Sequence, residues 1–152
     1  MNKIEFDIEL WANPPGLRER ACVFNMCRGL RQIALEPDKW LASIPEFALH
    51  GACDELLEDL DIALEVVKGV CENWWFPPEI FTVFTRLHTD LVKAFESDET
   101  MSDTDMFRSH PVWSEFRQRC SELLQAMAEW VQAVGLFLDP DKYWACQYDE
   151  TR

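Results

Sequence analysis

The stretch PVWSEFRQRCSELLQAMAEWVQAVGLFL, residues 111–138, decides the fold. In it Trp113, Phe116, Cys120, Leu123, Met127, Trp130, Val134 and Phe137 recur at alternating steps of three and four. That spacing puts them on one stripe of an α-helix. Leu124, Val131 and Leu138 widen the stripe on one flank, so the helix offers a broad core-facing surface rather than a narrow seam. Pro111 suits a first helical turn, where its missing N–H costs nothing, and Ser109 or His110 then precedes it as cap. Asp139-Pro140-Asp141 stops the helix. At about 1.5 Å per residue it spans roughly 42 Å and needs two or three partners to cover its stripe. The expected fold is all-α: one helical domain over residues 1–152, a bundle of about four to five helices.

Three further helices follow from the same periodicity. Over 78–96, Ile80, Phe81, Phe84, Leu87, Leu91 and Phe95 face inward, and His88, on the same arc, reads as a hydrogen-bonded core residue. Over 53–73 the stripe is Leu56, Leu60, Ala63, Val67, Val70 and Trp74. Over 17–35 it is Cys22, Val23, Met26, Cys27, Leu30, Ile33 and Ala34, opening after the break Asn13-Pro14-Pro15-Gly16. Arg18, Arg20, Arg28 and Arg31 lie on the opposite arc of that helix, as a solvated face or an anion site. Glu36-Pro37-Asp38 ends it, and Asp38 is expected to cap a short helix reaching Ser43 before Ile44-Pro45 interrupts. Residues 47–51 read as a further turn of helix leading into the next element.

Two segments depart from helical spacing. Residues 3–10 alternate charged and apolar, which suits a short strand pairing near the C-terminus around Tyr143 to Tyr148, or an extended arm packing Ile4, Phe6 and Ile8 on the bundle. Residues 96–105 carry five acids and no base and read as an acidic mobile loop. They lack the glycine and the terminal glutamate of an EF-hand.

At 152 residues the chain buries enough surface to fold without a disulfide or a metal. Its 48% hydrophobic and 28% charged residues are globular proportions. The net charge of −14 repels nucleic acid and anionic membranes and favours a basic partner. The first residues carry acids where a secretory signal needs an apolar run, and no stretch approaches the length of a membrane span. The six cysteines form no C-x-x-C pair and read as reduced thiols of a cytoplasmic protein.

On the 53–73 helix Asp54, Glu58, Asp61 and Glu65 form a continuous acid stripe opposite the apolar one, with Glu55 and Asp59 on its flank. Like charges at that spacing oppose one another. Trp74-Trp75-Phe76 follows at a corner ended by Pro77-Pro78 and offers aromatic anchors of the kind found in interfaces. The expected function is therefore protein binding: an inhibitor or immunity-type protein that neutralises a basic partner such as a toxin or nuclease. Asp54, Glu58, Asp61, Glu65, Trp74, Trp75 and Phe76 are the expected contact residues.

Glu55-Leu56-Leu57-Glu58 resembles half of the E-x-x-E and E-x-x-D pairs with which all-helical nucleotide pyrophosphohydrolases hold magnesium. A hydrolase of that type, using Mg or Mn, is the enzymatic alternative. A homodimer built on Leu124, Val131 and Leu138 is the structural one. His50-Gly51-Ala52-Cys53 has no second pair to complete a zinc site, and no glycine-rich phosphate loop or G-x-S-x-G is present. The expectation is no catalytic residue, no cofactor and no metal.

Overall fold

The computed structural model of the chain describes residues 3–7, 17–71 and 77–133. Among the described residues five α-helices run in order: α1 Leu17–Ala34, α2 Pro37–Ala42, α3 Ala52–Cys71, α4 Pro78–Ser97 and α5 Pro111–Ala133. Short 3-10 turns occupy Glu46–Gly51, Glu99–Ser102 and Thr104–Met106. Among the described residues there is no strand. The four long helices form a ring in which α1 packs on α3 and α5, and α4 on α3 and α5. The architecture is an all-α bundle.

Prolines set its punctuation. Pro37, Pro78 and Pro111 each stand first in a helix, where φ is already fixed and no N–H is wanted. Pro45 closes the route from α2. The inward stripes do as their spacing dictates: Met26, Leu30 and Ile33 of α1, Leu56, Leu60 and Val67 of α3, Phe84, Leu87 and Leu91 of α4, and Trp113, Cys120, Leu123 and Trp130 of α5 are buried. Each large side chain removed from water contributes about 1.5–3 kcal/mol.

One end of the bundle is aromatic. Phe107, after the last 3-10 turn, lies 4.4 Å from the Trp40 ring and 4.9 Å from Trp113. Phe95 meets Trp113 edge-on at 5.8 Å. The Trp113 indole N–H donates to the Met101 carbonyl at 3.2 Å. Arg117 Nη1 donates to the Phe107 carbonyl at 3.1 Å, and its guanidinium lies 5.2 Å from that ring. α2, α4, α5 and the acidic turns thus share one cluster.

Several expectations are refined. Asp38 does not cap α2; Glu36 occupies the cap position without a side-chain bond, and Asp38 instead pairs with Arg108 at 2.5 Å. Residues 3–7 form the arm rather than a strand: Ile4 and Phe6 are half-buried against the core while Lys3, Glu5 and Asp7 are exposed. Of the flank expected to pair two copies, Val131 is buried and Leu124 is partly buried against the core. Leu138 and residues 8–10 and 143–148 lie outside the described residues.

α1 and α3 approach closely at Gly29, where an added Cβ would lie 3.1 Å from Leu60 Cδ2. Gly69 has open space around its Cβ direction. Gly29→Val should therefore lower stability by about 1–3 kcal/mol through overpacking. Gly69→Ala should raise it by about 0.5–1 kcal/mol through helix propensity. Urea midpoints of the two variants, read against wild type, check both signs.

Candidate protein-interaction surface

α3 turns Leu56, Leu60, Ala63 and Val67 into the core, so geometry sends Asp54, Glu58, Asp61 and Glu65 to solvent, and all four are exposed. They are not equivalent. Asp54 Oδ1 accepts the Ser102 hydroxyl at 2.7 Å. Asp61 bonds His88 Nε2, which ties α3 to α4 and gives His88 the partner expected of it. Glu65 faces Lys68 at 3.4 Å, an exposed pair worth little. Glu58 is exposed.

The self-repulsion of this face registers on Asp59. Burial pushes its carboxyl above the usual range; nearby Arg28 pulls it down, and Glu55 and Glu58 push it up again. Arg28 and Arg31 are half-buried rather than set out on a solvated arc. Salt screens repulsion of this kind. The melting temperature is therefore expected to rise by a few degrees between about 0.02 M and 0.3 M NaCl, measured by calorimetry. A fall would mean that favourable surface pairs outweigh the acid stripe.

The acidic segment after α4 is built rather than loose. Asp98 accepts the Thr100 N–H at 2.9 Å and its hydroxyl at 2.6 Å, and Asp103 accepts the Asp105 N–H at 2.9 Å. These bonds wind residues 99–106 into two 3-10 turns, with Met101 fully buried beneath them. The Thr104 hydroxyl donates to the Leu49 carbonyl at 2.5 Å. The reason is local: an aspartate reaches the backbone two residues on and sets a turn. The Thr100 hydroxyl, and after it His110, hold the Asp98 carboxyl below the usual range.

Asp54 and Ser102, 48 positions apart, join the acid stripe to the acidic turns. Between those turns and Glu46–Gly51 lies a groove of about 580 Å³, edged by Glu99, Asp103 and Asp105 with His50 and Arg108. The large exposed apolar side chains among the described residues are Phe47, 90% exposed on the Glu46–Gly51 turn, and Ile62 and Val66, 63% and 38% exposed on α3. Trp74, Trp75 and Phe76 lie outside the described residues. Phe47 escaped the sequence reading. Its signal was faint: the Pro45–Gly51 segment is too short to bury both Phe47 and Leu49.

Among the described residues no three His, Cys, Asp or Glu side chains are grouped to hold a metal ion, and Glu55 and Glu58 are simply exposed. Cys27, Cys53 and Cys120 are free and buried, and Cys22 is buried. Burial pushes the Cys27 thiol up to about 12 and Cys53 to about 11, and raises Cys120 as well. A thiolate nucleophile needs the opposite shift. No helix of the described residues is long and apolar enough to cross a membrane. Compared with known protein families, with curated proteins and with solved structures, the chain shows no match.

Proposed function

We propose that the protein is an acidic binding module that neutralises a basic protein partner, in the manner of an inhibitor or immunity protein. The observation that carries this reading is the Asp54–Ser102 bond, which makes the α3 stripe and the acidic turns one continuous anionic face. Burial is the main cause that raises Asp59, and a cationic partner would offset the smaller push that Glu55 and Glu58 add. Ile62 and Val66 are exposed on the helix that carries the acid stripe and supply apolar contacts for residence while the charge steers approach. The buried thiols of Cys27, Cys53 and Cys120 fit work in the reducing cytoplasm.

The test must spare residues that hold the fold. Asp54, Asp61 and Asp103 each bond internally, so reversing them would confuse unfolding with lost binding. Glu58, Glu65, Glu99 and Asp105 are exposed and suit reversal to lysine. With the partner captured from the source cell at low salt, the fourfold variant should associate at least about tenfold more slowly than wild type. The gap should close toward 0.5 M salt. Equal association rates at low salt would remove this face as the site.

A further inference from the structure

A second concavity, chemically unlike the acidic groove, lies on the other side of the Glu46–Gly51 turn. It holds about 530 Å³ between the end of α1, α2, the Ile44–Pro45 bend and the first turn of α3. Its existence follows from the sequence. Pro37 and Pro45 cut the chain into pieces too short to lie flat on α1 and α3, and Ala48 and Ala52 present methyl groups where longer side chains would fill the gap. Leu35, Ile44 and the edge of Trp40 complete an apolar floor. Ser43, also in the lining, turns its hydroxyl back to the Trp40 carbonyl at 2.6 Å and so leaves that floor apolar.

The charge of the rim runs against that of the chain. Acids outnumber bases by 28 to 14 in the whole sequence. The lining of this groove carries the cations Arg31 and Lys39 with the acid Glu55 and the neutral Gln32, while the acidic groove sets Glu99, Asp103 and Asp105 against Arg108. An apolar floor with two cations at its edge is complementary to a molecule with a hydrocarbon body and one anionic end. Glu55 in the lining disfavours a second negative charge. The size lies within the range of small-ligand pockets, about 300–1,000 Å³.

We propose that the groove between α1, α2 and α3 binds a small amphipathic monocarboxylate, its chain on Ile44, Trp40 and Ala48 and its carboxylate between Arg31 and Lys39. This site is separate from the anionic face, and its failure would leave the reading of that face untouched.

The test uses the full chain and decanoate, kept below its micelle-forming concentration, in isothermal titration. Decylammonium, with an equivalent tail and the opposite charge, is the comparison. Decanoate should bind one-to-one and at least about tenfold more tightly than decylammonium. Lys39→Glu should weaken it about fivefold, and Ala48→Trp, which fills the groove from a half-buried position, at least about tenfold. In wild type the Ile44 methyl resonances should shift on titration while those of Val66, on the outer face of α3, stay fixed; this readout stands even if Ala48→Trp fails to fold. No binding at about 1 mM decanoate, several equivalents bound, equal affinity for the two tails, or Ile44 unmoved would each overturn the proposal.

Discussion

Trp113→Ala is expected to bring the protein close to unfolding at room temperature. The indole is fully buried, with Phe95, Phe107 and Phe116 around it at centroid distances of 5.8, 4.9 and 6.4 Å. Emptying such a site costs about 3–5 kcal/mol. The Met101 carbonyl also loses its indole donor beneath the acidic turns, which adds about 1–3 kcal/mol. Against a total stability of about 5–15 kcal/mol that is a large fraction. Trp113→Phe keeps most of the ring packing and loses the donor, so it should fall between the two. Urea unfolding of all three proteins checks the order, and a Trp113→Ala midpoint equal to wild type would refute the account of this cluster.

His110→Ala should be the next most damaging change. His110 is 6% exposed and uses both ring nitrogens. Nδ1 accepts the Val112 N–H at 3.1 Å, and Nε2 donates to Asp98 Oδ2 at 2.9 Å. An accepting Nδ1 means a neutral ring with its proton on Nε2. The side chain therefore does for α5 what serine or asparagine does at other helix starts. Losing such a cap costs about 0.5–2 kcal/mol, and the emptied ring volume adds to it. At about 2–4 °C per kcal/mol for a chain of this size, the melting temperature should drop by about 5 °C or more. His110→Asn restores an acceptor for the helix and should recover part of the loss.

The pH dependence has a definite sign. Asp98 is held below its unfolded pKa of about 3.9, with His110 contributing, so its stabilisation is present above that value and is lost as pH falls through the folded pKa. The gap between wild type and His110→Ala should therefore be widest near neutrality and narrow below about pH 4. A gap that grows on acidification would refute the Asp98 link.

Long periodic segments were legible in the sequence because many residues vote on each one. The spacing predicted helices over 17–35, 53–73 and 78–96, and the structure places them at Leu17–Ala34, Ala52–Cys71 and Pro78–Ser97. Pro111 marked the start of α5, and His110 was one of its two candidate caps. The acid stripe was legible for the same reason, since one helical wheel fixes every side chain on it. The turns were harder. Their form rests on single bonds such as Asp98 to Thr100 and Asp103 to Asp105, which composition presents only as a run of acids. That Asp54 and Asp61 spend their carboxylates on Ser102 and His88 depends on how helices dock, and no local pattern carries it.

The ring of helices closes between α1 and α5, the first and last of the described helices. On the ribosome this sets an order of events. α1 can meet α3 early, as both emerge well before residue 111. Its other apolar side waits for Trp113, Cys120, Leu123 and Trp130, which are synthesised after the other described helices. Until then the nascent chain carries an open seam, the kind of surface that chaperones hold and that neighbouring chains adhere to. A pause in translation anywhere between α1 and the end of α5 would prolong that state, because the seam stays open until α5 arrives.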